Sequence, residues 1–292
     1  VIPTAFTGSF DVEVDNAIRM PVYTKGLSTQ EEFQADLDAG APQAILQEKG
    51  RIRMVVASDA AAEVEDLEAA VSFWSEFHEH HAELAQEPTV RMYESHWIFD
   101  LQVGWGYANA TNARITYPKL SEVWALRTQT GDEDWWLFGH ELGHQFQTSN
   151  WSGGDITEVA VNLFTMYTLN DYIHGGGSYE TIGFRDNTMD HAMLESYRWD
   201  SADLFGKLQL YRQLIFEFGW PTFQEAFASY YSEEYPVQQY GEFMDGFAIR
   251  YSAIVERDLV GFFEHWEYPM SSAAADTIEG FGYEPWLPEG WE

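Results

Sequence analysis

The sequence contains no cysteine and only 15 basic residues against 48 acidic ones, which gives a net charge of −33. The first absence excludes disulfide bonds, thiolate zinc sites and a cysteine nucleophile. The shortage of basic residues argues against nucleic acid and anionic membrane surfaces as partners, because both would be repelled. No run of about 18 apolar residues occurs, so no segment is expected to insert into a bilayer.

The charge and the chain start suggest a setting for the protein. A lysine-poor acidic surface is typical of proteins that work in salty surroundings, where counter-ions screen self-repulsion, although a merely soluble acidic protein has the same composition. The chain begins at Val1, without an initiator methionine or a signal-peptide pattern. We therefore expect a domain excised from a longer secreted or cell-surface protein, and we expect it to act as a monomer.

The apolar pattern predicts one domain over residues 1–292, with a mixed α/β part over about 1–130 and a mainly helical part over about 131–292. Residues 1–57 are predicted as strands and turns, 59–86 as an amphipathic helix stopped by Pro88, and 90–117 as extended. The helices predicted in the second part cover 133–148, 156–173, 202–218, 222–232, 239–257 and 259–266. The fold class is therefore α+β.

A helical stretch over 133–148 carries the strongest chemical signal. His140 and His144 stand four residues apart, so both rings lie on one face and reach a single ion. Neutral imidazoles suit zinc, and a catalytic zinc takes three protein ligands and leaves one position for water. Glu141 follows the first histidine and is the candidate base for that water. The pattern predicts a zinc-dependent hydrolase with one catalytic ion.

The third ligand is predicted from the next helix. Metzincins require glycine and histidine three and six residues after the second histidine, where this chain has Gln147 and Asn150, so that class is excluded. Glu158, 14 residues beyond the second histidine, is the predicted ligand. Two alternatives stay open, namely that Glu158 only completes a helix capping box or that Asp155 is the ligand. Asn162, one turn later, is a candidate for orienting a ligand.

These residues carry a family resemblance. The run from His140 to Gln147, then Trp151, Gly154 and the run Glu158-Val-Ala-Val-Asn-Leu-Phe164, resembles the enhancin-like, mucin-targeting gluzincins of metallopeptidase family sixty. The resemblance implies a gluzincin-like catalytic domain with a cleft between its two parts. It also implies a secreted zinc endopeptidase that cuts glycoproteins beside O-glycosylated Ser or Thr. A general zinc proteinase and a non-catalytic glycan-binding relative remain alternatives.

The sequence indicates the residues that contact substrate less clearly than it indicates the metal ligands. Trp151, between the two metal-binding segments, either stacks on a sugar or peptide or packs the turn. Arg198 either hydrogen-bonds sugar hydroxyls or forms a salt bridge at a helix start. Tyr107 belongs to the extended region 104–117, whose strand edge is expected to pair with substrate backbone. The candidates for stabilising the oxyanion are Tyr197, Arg198 and His191.

A second histidine-rich stretch, Phe77-His-Glu-His-His81, has no glutamate at the spacing that a zinc peptidase requires. His78 and His81 fall on the apolar stripe of their predicted helix. We therefore expect them to have a surface or core-edge role. His265, in the last aromatic run, is likewise expected to be structural.

Overall fold

The computed structural model describes residues 14–86, 94–104, 106–111, 114–127, 132–148, 151–173, 175, 194–231 and 243–291. Within these residues a six-stranded sheet occupies the first part of the chain and helices form most of the second. The predicted α+β class, with a mixed first half and a mainly helical second half, is confirmed. No helix in the described ranges is both long and apolar enough to cross a membrane.

The sheet is mixed and has the strand order β1-β2-β3-β4-β6-β5. β2 and β3 form an antiparallel hairpin, β4 and β6 continue the sheet in parallel, and the short β5 is an antiparallel edge strand. Alternate residues of β3 are buried, as a strand with one face on the core requires. The strands are β1 Val22–Thr24, β2 Gln43–Glu48, β3 Ile52–Ala57, β4 Ser95–Asp100, β5 Asn109–Ala110 and β6 Arg114–Pro118.

Four helices accompany the sheet: α1 Gln30–Leu37, α2 Ser58–Ala62, α3 Leu67–Ala85 and α4 Glu122–Leu126. The predicted helix over 59–86 is in fact two helices, because Asp66 accepts a hydrogen bond from the Ala69 amide at 2.9 Å and starts a new one. Its predicted stop at Pro88 lies outside the described residues, and α3 already ends before Gln86, which has a left-handed φ of 51°.

The helical part begins with α5 Asp132–Phe146 and α6 Thr157–Thr168, and α6 continues into a π-helical turn, Leu169–Ile173. The described residues from 194 onward hold five more helices, namely α7 Leu204–Phe218, α8 Trp220–Ser229, α9 Phe243–Val255, α10 Val260–His265 and α11 Ser272–Glu279. Three short helices, α1, α4 and α11, escaped the sequence prediction. Of these, α1 and α11 are capped by the hydroxyl side chains of Thr29 and Ser271.

An aromatic cluster joins the sheet to α5. Trp97 of β4 stacks on Phe138 of α5 with 5.4 Å between ring centroids, and Trp74 of α3 packs edge-on against both rings. All three side chains are fully buried, and each large ring removes substantial apolar surface from water. The cluster therefore fixes the helix that carries His140 and His144 against the sheet.

Candidate metal centre

Two glycines allow α5 and α6 to approach each other closely. A Cβ atom at Gly143 would lie 2.7 Å from the carbonyl oxygen of Val161, and one at Gly139 would lie 2.8 Å from a side-chain carbon of Thr165. No larger residue fits these contacts without moving the backbone. The two glycines lie four residues apart, on the α5 face that packs against α6. They bring the helix with two histidines next to the helix with Glu158.

Three predicted ligands converge at this contact. The Nε2 atom of His140 lies 3.1 Å from Oε2 of Glu158, and the Nε2 atom of His144 lies 3.6 Å from the same oxygen. All three donor atoms lie within 4.8 Å of one another. Bonds of about 2.0–2.1 Å to a tetrahedral zinc would separate its ligands by about 3.4 Å, so these distances fit zinc. Two imidazoles and one carboxylate are also a donor set typical of catalytic zinc.

Asn162 orients the first histidine. Its side-chain oxygen lies 2.9 Å from Nδ1 of His140, and its amide nitrogen donates to the backbone carbonyl of Glu158 at 2.8 Å. Because Oδ1 only accepts, Nδ1 of His140 carries a proton, and Nε2 is the atom that faces Glu158; it donates to that carboxylate here and would offer its lone pair to a bound metal. Asn162 is completely buried on α6. The geometry is that of the predicted orienting residue, and it also ties the ligand to the backbone of α6.

Gln147 performs the same task for the second histidine, which the sequence analysis did not foresee. Its Oε1 atom lies 3.0 Å from Nδ1 of His144, and its Nε2 atom donates to the carbonyl of Thr157 at 2.6 Å. In the sequence, Gln147 is informative only as a departure from the metzincin pattern. The usable signal was an amide one turn after the ligand, where an i, i+3 pair meets on a helix.

Glu158 is free of the capping role that had been left open for it. The residue before α6 is Ile156, which makes no side-chain cap, and the Glu158 carboxylate points to the histidines instead. Hydrogen bonds from His140 and His144 hold the pKa of this carboxyl far below its usual value. The carboxylate is therefore charged at neutral pH, as a metal ligand must be. The side chain of Asp155, the alternative ligand, lies outside the described residues.

Glu141 is placed between the two histidines in sequence, and its side chain is only 7% exposed. Burial raises the pKa of Glu141, while the charges of His140 and His144 oppose the rise. A carboxyl whose pKa moves toward neutrality exchanges protons more effectively near pH 7 than an exposed one. The position and environment of Glu141 thus suit a proton carrier.

The sequence profile of the family described as "Peptidase M60, enhancin and enhancin-like" matches residues 16–267. The chain belongs to this family. The match covers the sheet, the metal-binding helices and most of the helical part, and the resemblance noted in the sequence is thereby confirmed.

Among curated proteins, the M60 domain is similar to the TRPM8 channel-associated factor homolog of Xenopus laevis, with 28% identity over 93% of this chain. The chain spans about 30% of the length of that relative. Among solved structures, it is similar to a conserved protein of unknown function from Bacillus anthracis, with a TM-score of 0.75, 17% identity and coverage of 92% of this chain and 58% of the other.

A second solved structure is the M60 catalytic domain of ZmpC from Clostridium perfringens, bound to the sialyl T antigen. It has a TM-score of 0.65 and 16% identity, and it covers 92% of this chain and 56% of its own. At such identities the likeness establishes the fold alone. The M60 domain therefore shares the architecture of catalytic domains in its family.

Trp151 lies in the core of the M60 domain. Its side chain is 4% exposed, and its ring lies 4.6 Å from that of Phe227 and 5.6 Å from that of Phe164. A ring enclosed by two others has no face left for a sugar. Of the two roles considered for Trp151, the structure has the packing role, and the substrate-stacking role is corrected.

Arg198 and Tyr107 occupy different surroundings. The Arg198 guanidinium donates to the carbonyls of Glu195 and Tyr197 at 2.7 Å and lies 3.6 Å from a Glu267 carboxylate oxygen. Arg198 thus forms a salt bridge, but with Glu267 in the turn after α10 and not at a helix start. Tyr107 is 61% exposed in the loop before β5. His191, an oxyanion candidate, lies outside the described residues.

The edge strand β5 is tied to the metal-bearing helix through Gln145. This buried side chain of α5 accepts from the Ser95 hydroxyl at 2.5 Å and donates to the carbonyl of Thr111, just after β5, at 3.1 Å. β5 pairs with β6 on one side only among the described residues. Its second edge makes no strand pairing among those residues, and Gln145 ties the end of β5 to the helix that carries His144.

The second histidine-rich stretch does not form part of this centre. His81 is completely buried; its Nε2 atom lies 3.1 Å from the Gly139 carbonyl, and its Nδ1 atom lies 2.8 Å from the Thr168 hydroxyl. His78 is also buried and packs edge-on against Phe146. His265 is the last residue of α10, and its ring stacks on that of Trp291 with 4.2 Å between the centroids.

Proposed function

We propose that this M60 domain is a zinc-dependent endopeptidase that hydrolyses glycoproteins beside O-glycosylated Ser or Thr. One observation supports hydrolysis above all others. His140, His144 and Glu158 present donor atoms within 4.8 Å of one another, next to the buried carboxyl of Glu141. Three protein ligands with an adjacent proton carrier are typical of a catalytic zinc and not of a structural one, which takes four.

The metal chemistry requires one zinc ion held by His140, His144 and Glu158. Bound there, the ion would supply Lewis acidity and would lower the pKa of a water molecule toward about 7. Asn162 and Gln147 keep the Nε2 lone pairs of the two histidines directed at the ion. The two amides thus act by positioning the ligands.

Glu141 is the proposed general base and acid. Its carboxylate accepts the proton of the attacking water and then delivers it to the nitrogen of the departing peptide. The low exposure of its side chain limits competing hydrogen bonds from solvent. The pKa of Glu141, raised by burial, favours acceptance of the proton from the attacking water.

Substrate backbone is proposed to pair with the free edge of β5. Gln145 connects that edge to α5, so a peptide added to the sheet would pass the metal ligands at a fixed distance. Tyr107, exposed just before β5, is the proposed contact for a side chain or sugar of such a peptide. Trp151 has no part in it, because its ring is buried in the core, and the Arg198 guanidinium is already bound to two carbonyls and to Glu267.

The glycan requirement is supported by two related structures. The M60 catalytic domain of ZmpC was solved with the sialyl T antigen, and another metallopeptidase of this fold was solved with the Tn antigen. Both antigens are O-linked glycans. A substrate of this type would place the protein outside the cell, and we propose a secreted or cell-surface location.

Peptide mapping tests the proposal. The domain, loaded with zinc, is incubated with a mucin-type glycoprotein and with the same protein after enzymatic removal of its O-glycans. Mass spectrometry then identifies the new amino termini. We expect termini at glycosylated Ser or Thr, no cleavage of the deglycosylated protein, and none by Glu141→Gln. Equal cleavage of both substrates would leave a general zinc proteinase.

A second candidate function follows from the names of the curated relatives. The relatives from Xenopus laevis and Bos taurus are named as channel-associated factors, which favours a protein-binding domain without catalysis. The same experiment separates the two functions. A non-catalytic domain would retain the glycoprotein in a pull-down without releasing any new amino terminus, and wild type and Glu141→Gln would behave alike.

A further inference from the structure

We infer that the domain has a second site for a divalent metal ion of the zinc class, formed by His80, Glu83 and Asp171. The Nδ1 atom of His80 lies 3.0 Å from Oδ2 of Asp171 and 3.5 Å from Oε2 of Glu83. The three donor atoms lie within 4.8 Å of one another. These separations match those of the first centre, and no residue is shared between the two.

The state of His80 points to a ligand rather than to an ordinary ion pair. Its Nδ1 atom is shielded from solvent and makes no hydrogen bond to any described residue, although the Asp171 oxygen is close enough for one. A buried imidazole nitrogen without a hydrogen bond costs free energy. The cost disappears if the lone pair of this nitrogen is directed at a cation between the two carboxylates.

The surrounding side chains hold this geometry. The His80 ring stacks on Tyr172, with 5.1 Å between centroids and planes inclined by 22°. Glu83 shares a hydrogen bond with the hydroxyl of Tyr167, which in turn accepts from the Gln224 side chain at 3.1 Å. Partners of this kind orient ligands in known metal sites and set their affinity.

The backbone brings the three residues together from two elements. His80 and Glu83 stand three residues apart on α3, so they share one face of the helix. Asp171 belongs to the π-helical turn that follows α6 and packs against α3. Single π-turns inside helices are frequent at functional sites. An ion here would link α3 to the end of the helix that supplies Glu158 and Asn162.

The donor set selects the class of metal. Imidazole is a preferred ligand of zinc and its first-row neighbours, whereas calcium and magnesium favour sites made only of oxygen. Two partly exposed carboxylates supply negative charge in a chain whose net charge is −33. The site is therefore expected to bind zinc through three side chains, with solvent completing the coordination, and so less tightly than a closed four-ligand structural site. Because the ion would join α3 to the end of α6, it is expected to stabilise the fold.

Metal counting tests the inference directly. Purified variants are dialysed to equilibrium against Zn²⁺ in about 0.5 M salt, where a Debye length of about 4 Å suppresses loose binding to the acidic surface. Zinc per chain is then measured by elemental mass spectrometry. We expect two ions in wild type, one in Asp171→Asn and one in His144→Ala. Asp36→Asn, a change of equal charge on the exposed face of α1, should keep two.

The remaining outcomes are equally decisive. Two ions in Asp171→Asn, or one in wild type, would overturn the second site. Circular dichroism checks that each variant is folded, and Glu83→Gln provides an independent removal of a ligand. In His144→Ala, zinc should still raise the thermal midpoint, whereas His144→Ala combined with Asp171→Asn should not respond. If Ca²⁺ at the same concentration as Zn²⁺ displaced the second zinc ion, the assigned metal class would be contradicted.

Discussion

The two histidine-bearing helices of the domain, α3 and α5, show what turns a pair of imidazoles into a metal site. On α5, His140 and His144 face α6, and Glu158 meets both of their Nε2 atoms. On α3, His78 and His81 also lie on one face but are buried in the core. Spacing places two rings together in both helices. The neighbouring helix decides whether the rings face a candidate metal site or the core.

The hydrogen bonds of the rings express the same difference. On α5, each Nδ1 atom is held by an amide oxygen, and the Nε2 atoms remain directed at the carboxylate. In His81, the Nε2 atom faces the Gly139 carbonyl and the Nδ1 atom faces the Thr168 hydroxyl. Neither nitrogen of His81 is left for a metal. His81 therefore connects α3 to α5 and α6 by hydrogen bonds, whereas the Nε2 atoms of the α5 histidines face Glu158 at the candidate metal site.

The largest expected effect is the loss of activity on substitution of Glu141, the proposed general base of the α5 centre. Glu141→Gln keeps the shape of the side chain but removes the proton acceptor, and it should lower kcat/KM by about 10²–10⁴. The bound zinc, measured by elemental mass spectrometry, should not change. Glu225→Gln, on the exposed surface of α8, is the matched control and should retain full activity. Unchanged turnover in Glu141→Gln would remove Glu141 from the mechanism.

The buried histidines of α3 should make the stability of the folded domain sensitive to acid. Burial lowers the pKa of His78 to about 4, with a contribution from the charge of Arg51. Burial also lowers the pKa of His81 to about 3, with the nearby His78 and His80 adding to the effect. Unfolded chains bind protons at these positions below about pH 6.5, whereas the folded domain does not. Stability should therefore fall as the pH drops from about 6.5 toward 4.

The contribution of His78 to this loss should be on the order of 3 kcal/mol at pH 4. The free energy of unfolding in urea is measured for wild type and His78→Phe between pH 7 and 4. The difference between the two proteins isolates the contribution of His78 from that of the many carboxylates that titrate in the same range. The wild-type free energy of unfolding should decline more steeply, by up to about one proton per molecule. Parallel curves would mean that His78 is protonated in the folded state.

Glycine allows α5 and α6 to approach each other closely, whereas α3 contains no glycine, and Gly143 tests the importance of this approach. The added Cβ of Gly143→Ala would meet the Val161 carbonyl at 2.7 Å, so the helices must separate. We expect a loss of about 1–3 kcal/mol in the free energy of unfolding, together with weaker zinc binding. Gly246→Ala, inside α9, is the control, because its nearest neighbours are 3.9 Å away. Equal stabilities of the two variants would show that the close approach is not required.

The sequence predicted those parts of the site that are local. His140, Glu141 and His144 lie on one helix, and Glu158 opens the next, so spacing alone placed them together. The site formed by His80 and Asp171 was not predictable in this way, because its members are distant in sequence and meet through a π-turn. A helix pattern describes faces, but it does not determine which two faces pack against each other.

Helix α1 and the orientation of Trp151 were not predicted from the sequence for other reasons. Helix α1 has eight residues and a polar surface, so its apolar period was too weak to notice, although Thr29 and Glu32 form a complete capping box. Trp151 follows the metal-bearing helix in sequence, yet its ring turns inward between Phe164 and Phe227. Proximity in the chain predicted its neighbourhood but not the direction of its side chain.

The smallest expected effect separates the two hydrogen bonds of Asn162. In Asn162→Ala, His140 loses the partner of its Nδ1 atom, and zinc affinity should fall by about 10–100-fold. Asn162→Asp keeps an acceptor for Nδ1 but cannot donate to the Glu158 carbonyl, so it should bind zinc more tightly than the alanine variant. Competition with a chromophoric chelator measures both affinities. Equal losses in the two variants would show that the bond to the Glu158 backbone, and not the orientation of His140, sets the affinity of the α5 centre.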